Sequence, residues 1–144
     1  MTPEDLGRIH AEAFTAPWSA KAFADLLDQT GVFVLGDADG FILIRVILDE
    51  AEILTLAVRR SVRRRGLGAA LTRAGAAAAA ALGAERLFLE VAEDNAAARG
   101  LYENMGFSSV GRRSGYYAAP DGGRIDAIMM SLGLTASVDG LPTA

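Results

Sequence analysis

Five arginines fall within seven residues, directly before two glycines, in a chain that is otherwise acidic. They are Arg59, Arg60, Arg63, Arg64 and Arg65, followed by Gly66 and Gly68. The formal net charge of the 144 residues is −4, so this positive charge is a local feature. Guanidinium groups bind phosphate oxygens through paired hydrogen bonds, and glycines let backbone N–H groups approach an anion without side-chain obstruction. The cluster therefore predicts a phosphate site.

The neighbours of this cluster support the prediction. It follows a predicted strand at residues 53–58 and precedes a long predicted helix, whose first N–H groups and positive dipole end favour phosphate. Two common phosphate motifs are excluded: the chain lacks G-x-x-x-x-G-K-[ST], and Leu71 stands where G-x-G-x-x-G needs its third glycine. The expected ligand is a pyrophosphate, and the alternative is a solvated arginine-rich face.

The rest of the chain predicts one mixed α/β domain at residues 1–134. The element order is two helices, an antiparallel three-stranded meander, a strand–helix–strand crossover, a further helix and a final hairpin. Local signals mark the helix ends, because Thr2 and Ser19 suit N-caps and Gly83 suits a C-terminal stop. Residues 135–144 carry no pattern, and we expect them to form a mobile tail.

Composition excludes several classes of site. No cysteine is present, which excludes disulfides and thiolate metal sites and favours a cytoplasmic location. A single histidine, His10, makes a zinc site improbable, and we expect it to pack on the first helix. No segment has the apolar length of a membrane span, and an acidic protein has no overall field that favours nucleic acid. We expect a monomer that binds no metal, nucleic acid or membrane.

Several segments resemble one enzyme family. The letters RRRGLG, residues 63–68, match the R/Q-x-x-G-x-G/A signature of the GNAT superfamily of acyl-CoA-dependent N-acetyltransferases. LFLEVAEDNAAARGLYENMGF, residues 87–107, closely resembles the ribosomal-protein-alanine N-acetyltransferases (RimI type). APWSAKAF, DEAEILTLAV, RRSGYY and GRIDAIMM extend the resemblance over residues 4–134. It implies the GNAT fold, a central, mostly antiparallel sheet with a splayed parallel strand pair and flanking helices.

The resemblance implies acetyl-CoA as co-substrate. Two neighbouring parallel strands, here residues 52–58 and 87–92, would splay and admit the pantetheine arm, and the pyrophosphate would lie on the arginine–glycine turn. Asn95 would contact CoA, and the alternative for Asn95 is a plain helix cap. The implied cofactor-binding residues are Leu56, Ala57, Val58, Arg63, Arg64, Arg65, Gly66, Leu67, Gly68, Ala69, Asn95 and Tyr102.

The same resemblance assigns two residues to catalysis. Glu90, in an otherwise apolar strand and facing away from Leu87 and Leu89, would accept the proton of the substrate amine. Tyr102, seven residues after Asn95 and on the same helix face, would protonate the departing CoA thiolate. The alternatives are a Glu90 that only pairs with an arginine and a Tyr102 that only fills the core.

The implied substrate is the N-terminal amine of a protein, expected to be a ribosomal protein that begins with alanine, attacked directly in a ternary complex. Trp18, Glu90, Tyr116 and Tyr117 would bind it, and the alternative for the three aromatic residues is a surface role. Ile125 departs from the family, which usually has an acidic residue there, and the residues before the first helix are too few for the family's first edge strand. The alternative functions are acetylation of a small amine or a lysine side chain, a non-catalytic CoA-binding module, and an RNA-binding surface.

Overall fold

Six strands form one mixed sheet in the order β1-β2-β3-β4-β6-β5, with helices packed on both faces. The computed structural model describes residues 1–63 and 65–134, so Arg64 and the predicted tail lie outside the described residues. The strands are β1 Val32–Asp37, β2 Gly40–Ile47, β3 Glu50–Val58, β4 Arg86–Ala92, β5 Ser108–Ala118 and β6 Arg124–Gly133. The helices are α1 Pro3–Ala13, α2 Ala20–Leu27, α3 Leu67–Ala81 and α4 Ala96–Asn104, with a short 3-10 helix at Arg60–Val62. The predicted mixed α/β class and the predicted element order are confirmed.

The helix ends follow the local signals in the sequence. The Thr2 side chain accepts from the N–H of Asp5 while the Asp5 carboxylate accepts from the N–H of Thr2, a reciprocal capping box. Ser19 caps α2 by accepting from the N–H of Ala22. Gly83 follows the end of α3 with a φ of 101°, the left-handed conformation that glycine adopts most readily.

The parallel pair β3–β4 separates soon after it begins. Its pairing covers Glu50–Glu52 against Arg86–Phe88. Beyond this point β3 keeps its pairing with β2 as far as Val58, and β4 keeps its pairing with β6 as far as Ala92. One edge of each strand is therefore left without a partner strand in the described structure, which is the splay that the sequence resemblance implies.

Two clusters of buried side chains lie on opposite faces of the sheet. Phe41 and Leu43 of β2 pack with Phe23 on the face covered by α1 and α2, which we call the α1–α2 face. Ile42 and Ile44 alternate with them and pack on the opposite face, covered by α3 and α4, which we call the α3–α4 face. The sheet is therefore a partition between two separately packed cores.

Helix α3 lies unusually close to the sheet. Its buried positions Leu71, Gly75 and Ala79 recur every four residues and form one face of the helix. A Cβ atom added at Gly75 would lie 2.5 Å from Cδ1 of Ile44, so the absence of a side chain at Gly75 lets this face of α3 pack closely on the isoleucines of β2. The alanine-rich sequence is thus a closely packed helix, as predicted.

Candidate active site

The N-terminus of α3 is an uncapped helix end built on a glycine. Gly66 precedes the helix with a φ of 76°, and within the described residues no side chain caps the first turn. The first N–H groups of an α-helix have no intrahelical acceptor and carry the positive end of the dipole. Leu67 and Ala69 are half-buried in this turn, and Gly68, which has no side chain, leaves its backbone N–H accessible to an anion. The donor set fits a pyrophosphate.

The arginine cluster divides into two groups. The Nε atom of Arg59 lies 3.2 Å from Oε2 of Glu12, and Arg60 donates from Nε to the Glu12 carbonyl at 3.1 Å. These two arginines therefore connect the turn to α1. Arg63 donates from Nε to the carbonyl of Val58 at 3.2 Å, which ties the turn back to the end of β3, and Arg65 is exposed. Sequence reasoning missed the role of Glu12, because it lies 47 residues before Arg59.

The three predicted pantetheine residues end β3, next to the gap between β3 and β4. Leu56 and Val58 pack against the core of the α3–α4 face, and Ala57 is buried on the α1–α2 face. An irregularity in the β2–β3 register leaves Leu54 without a partner between Ile53 and Thr55. Such a bulge bends its strand and redirects the following residues. The bulge lies just beyond Glu52, the last residue of β3 that pairs with β4.

Asn95 and Tyr102 belong to α4. The Oδ1 atom of Asn95 accepts from the N–H of Ala98 at 3.1 Å, so Asn95 is a helix cap, and its contact with CoA stays a prediction. Tyr102 is only 7% exposed and packs edge-on against Phe107 in the core of the α3–α4 face. Burial raises the pKa of Tyr102 to about 12. Its hydroxyl is therefore protonated at neutral pH and can serve as a proton donor.

Glu90 lies on the α1–α2 face, opposite to Leu87 and Leu89, as the sequence pattern predicts. Its Oε2 atom is 2.7 Å from Nε of Arg113, and the side chain is 20% exposed. That oxygen is buried, and its contact with Arg113 is an ion pair without hydrogen-bond geometry, so it accepts no hydrogen bond from the described residues. Glu90 therefore pairs with an arginine, and one of its carboxylate oxygens can still accept a hydrogen bond. Its role as a base stays a prediction.

Two tyrosines of β5 lie near the ion pair of Glu90 and Arg113. Tyr116 and Tyr117 of β5 pack edge-on, with ring centroids 5.0 Å apart, and Tyr116 is about half exposed. Burial, and next the negative charge of Glu90, raise the pKa of Tyr117 above its usual value. The hairpin of β5 and β6 therefore brings Tyr117 into the electrostatic field of Glu90. Trp18, half-buried before α2, lies on the same face of the sheet.

His10 holds the segment between α1 and α2. It is buried and accepts a hydrogen bond from the backbone N–H of Trp18 at Nδ1, while Nε2 lies 3.1 Å from the hydroxyl of Thr55. Its ring stacks on Phe14 and Trp18, with centroids 4.1 and 5.0 Å away. Burial lowers the pKa of His10 to about 4, so the ring is neutral at pH 7. Packing on the first helix is confirmed, and sequence reasoning missed its link to Thr55.

The described residues contain neither a metal-binding cluster nor a helix that could span a membrane. Within residues 1–63 and 65–134, no group of three or more His, Cys, Asp or Glu side chains could hold a metal ion. Over the same part of the chain, no helix is long and apolar enough to cross a membrane.

Comparisons with known proteins converge on one enzyme family. Residues 4–107 match the Acetyltransferase (GNAT) family. The [ribosomal protein bS18]-alanine N-acetyltransferase of Escherichia coli strain K12 is 39% identical over 128 residues, covering 86% of this chain and 86% of that protein. The protein of the same name from Haemophilus influenzae is 33% identical over 135 residues, covering 89% of this chain and 90% of that protein.

Solved structures share the fold. The crystal structure of the ribosomal-protein-S18-alanine N-acetyltransferase from Escherichia coli superposes with a TM-score of 0.84 at 33% identity, covering 97% of this chain and 92% of that chain. Arabidopsis thaliana NAA60 in complex with acetyl-CoA reaches a TM-score of 0.78 at 21% identity, covering 93% of this chain and 96% of that chain, and supports the fold alone.

Proposed function

Since the chain belongs to the GNAT acetyltransferase family, whose members use acetyl-CoA, we propose that it acetylates the N-terminal amine of a ribosomal protein that begins with alanine. Relatives with 32–39% identity over most of the chain carry this activity in their names. The observation that best supports acetyl transfer is that Glu90, on the separated part of β4, and Tyr102, on α4, belong to opposite faces of the sheet. An amine can then approach from one face and a thioester from the other.

Bound acetyl-CoA supplies the activated acetyl group. In our proposal the first turn of α3, with Arg63, Arg64 and Arg65, binds the pyrophosphate through N–H groups and guanidinium groups. The unpartnered edge of β3 at residues 56–58 offers backbone N–H groups to the pantetheine and to the acetyl carbonyl oxygen. Asn95 orders the start of α4 and thereby the position of Tyr102.

Two proton transfers complete the reaction. Glu90 accepts the proton that the amine loses as its nitrogen forms the new bond to the acetyl carbon. Tyr102 gives its proton to the sulfur atom as the carbon–sulfur bond breaks. The demand on Glu90 is modest, because an α-amino group has a pKa of about 7.7–8.0 and is substantially neutral near pH 8, whereas lysine is close to 10.4.

The surroundings of Glu90 support a peptide as substrate. Trp18 precedes α2, while Tyr116 and Tyr117 lie on the β5–β6 hairpin, so both elements offer aromatic surface for the first residues of a chain. We propose in addition that the enzyme is a cytoplasmic monomer. The net charge of −4 disfavours nucleic acid as its partner.

The decisive experiment measures thiol release from acetyl-CoA with a panel of acceptors. The panel contains peptides that begin with alanine, serine or methionine, an N-blocked lysine peptide and small amines. We expect turnover on the free alanine N-terminus, lost in Glu90→Gln. Turnover on lysine or small amines alone would keep the family and refute the substrate. No turnover despite CoA binding would favour a CoA-binding module, and thermal protection by RNA in place of CoA would favour an RNA-binding surface.

A further inference from the structure

The contact between Glu90 and Arg113 places a cation of the protein itself beside the proposed base. Nε of Arg113 lies 2.7 Å from Oε2 of Glu90, which is closer than a non-bonded contact allows without strong attraction. The Arg113 side chain is 53% exposed, whereas Glu90 is 20% exposed. The Glu90 carboxylate is therefore mostly shielded from solvent, whereas about half of the Arg113 side chain is exposed.

The local structure of β5 explains why Arg113 reaches this position. After a first irregularity between Ser109 and Gly111, the pairing of β5 with β6 is regular from Gly111 to Arg113, which lies opposite Ala127, and it resumes only at Tyr117 opposite Ile125. The intervening Gly115 has a φ of 60°, and its N–H donates to Asp126 at 2.7 Å. Such a bulge ends the regular pairing and redirects the neighbouring side chains. Arg113 is thus the last regularly paired residue before the aromatic part of the hairpin.

The neighbouring arginine shows how a fixed guanidinium is held on this strand. Arg112 lies 2.8 Å from a carboxylate oxygen of Glu93 and 2.7 Å from one of Asp126. Successive residues of a strand point to opposite faces, so Arg112 and Arg113 are directed away from each other. Arg113 has one carboxylate partner and the ring of Tyr116, with its guanidinium carbon 5.1 Å from the ring centroid. It is the more weakly held of the two.

The ion pair between Glu90 and Arg113 lacks a hydrogen bond. Oε2 of Glu90 is buried and accepts no hydrogen bond from the described residues, even though the guanidinium is adjacent. A buried carboxylate oxygen without a hydrogen bond is costly, and a donor directed at it removes that cost. A substrate amine or ammonium group supplies such a donor and carries the same charge as the guanidinium.

We infer that Arg113 occupies the position of the substrate amine in the free enzyme and must be displaced from Glu90 when an amine binds. Arg113 is then a positioning residue that holds the Glu90 carboxylate in an ion pair until the substrate binds. The inference rests on the proposed function, because it takes Glu90 to be the residue that receives the amine. Displacement of an internal competitor reduces the apparent affinity of every amine by the same factor, whatever the rest of the substrate.

The test is amine binding to the complex with free CoA, which has no acetyl group and so allows no turnover. We would measure the Kd of an alanine-starting hexapeptide and of alaninamide by calorimetry. Arg113→Gln is expected to lower both Kd values by the same factor, about two- to fivefold, the range open to a partly exposed ion pair. Arg113→Lys keeps the competing charge and should stay within about twofold of the unsubstituted enzyme.

Arg112→Gln is the matched control. It removes a guanidinium from the next residue of the same strand, and we expect both amine Kd values to stay unchanged. The Kd of CoA, measured for each variant, reports whether the fold is intact. A Kd that rises for the hexapeptide alone in Arg113→Gln would make Arg113 a peptide-binding residue and overturn the inference. Unchanged values for both amines would overturn it as well.

A second measurement uses a probe that replaces the missing group. In Arg113→Ala, methylguanidinium should raise the Kd of alaninamide back toward the unsubstituted value, and it should have no such effect when Arg113 is present. Absence of this competition would contradict the inference. If alaninamide behaves as expected while the hexapeptide does not bind, the proposed substrate is refuted and the role of Arg113 stands. If no amine binds to either protein, both proposals fail.

Discussion

The two faces of the sheet are packed by different kinds of side chain. On the α1–α2 face, aromatic rings and hydrogen-bonding groups are combined: His10 contacts Phe14, Trp18 and Thr55, and Glu90 of β4 belongs to the same face. The α3–α4 face is largely aliphatic, and its helix α3 approaches the sheet through small residues. The α1–α2 face therefore offers polar groups to a ligand in water, whereas the α3–α4 face offers a helix N-terminus and the buried hydroxyl of Tyr102.

This difference suits a reaction with two substrates. An amine must lose a proton to a base, so its site needs charge and access to water. A thioester needs an anchor for its phosphates and a proton donor that stays protonated in a dry site. The splayed pair β3–β4 is where the two environments meet, because the sheet has no strand pairing there to separate them.

The largest effect should come from removing the base on the α1–α2 face. Glu90→Gln should lower kcat for the alanine-starting peptide by about 10²–10⁴-fold, the usual contribution of a positioned general base. The control is Glu93→Gln, which removes another arginine-paired glutamate three residues later, one that contacts Arg112 instead of Arg113. We expect it to retain kcat within about twofold. An equal loss in both variants would show a general effect of charge and not a base.

Tyr102→Phe tests the proton donor on the α3–α4 face. We expect kcat to fall by about 10²-fold, less than for Glu90, because a thiol with a pKa of about 8.5 already leaves readily. Because burial raises the pKa of Tyr102 to about 12, the tyrosine keeps its proton at pH 6–10, and its titration should not lower kcat there. If kcat of the unsubstituted enzyme fell with rising pH below pH 10, and this fall were absent in Tyr102→Phe, the assignment would be contradicted.

The sequence anticipated those features that depend on neighbours along the chain. Caps at Thr2, Ser19 and Asn95 use hydrogen bonds between residues three apart, so the letters alone reveal them. The face of Glu90 followed from its alternation with Leu87 and Leu89. Helix and strand order followed from the same kind of local pattern.

What the sequence did not reveal were side-chain partners far apart in the chain. Arg59 meets Glu12 across 47 residues, and His10 meets Thr55 across 45. Arg113 meets Glu90 only because β6 pairs with both of their strands. Such contacts depend on strand order and register, which charge spacing does not encode. The roles of individual site residues remain predictions for the experiments described above.

The polar core of the α1–α2 face should make stability depend on pH. The pKa of His10 is about 4 in the folded protein and near 6.5 when exposed, so its contribution is complete above pH 6.5 and is lost as the pH falls to 4. The difference between these two pKa values corresponds to a loss of up to about 3 kcal/mol in the free energy of unfolding. Protonation of Nδ1 removes the acceptor for the Trp18 N–H. Urea unfolding of His10→Phe should show lower stability at pH 7 but a flatter pH dependence between 6.5 and 4. An unchanged slope would mean that another group titrates.

Because α3 packs closely on the sheet at Gly75, we expect two glycine-to-alanine substitutions to change the free energy of unfolding in opposite directions. Gly75→Ala should lower the free energy of unfolding by about 1–3 kcal/mol, because the new Cβ would lie 2.5 Å from Cδ1 of the fully buried Ile44, and either that side chain or α3 would have to shift. Gly100→Ala is the matched helical control, since nothing lies within 4 Å of its new Cβ, and it should raise stability by about 0.5–1 kcal/mol. Chemical denaturation measures both. If Gly75→Ala were also stabilising, the contact between α3 and β2 would be looser than the structure shows. Close packing of a helix on the sheet would then no longer distinguish the α3–α4 face from the α1–α2 face.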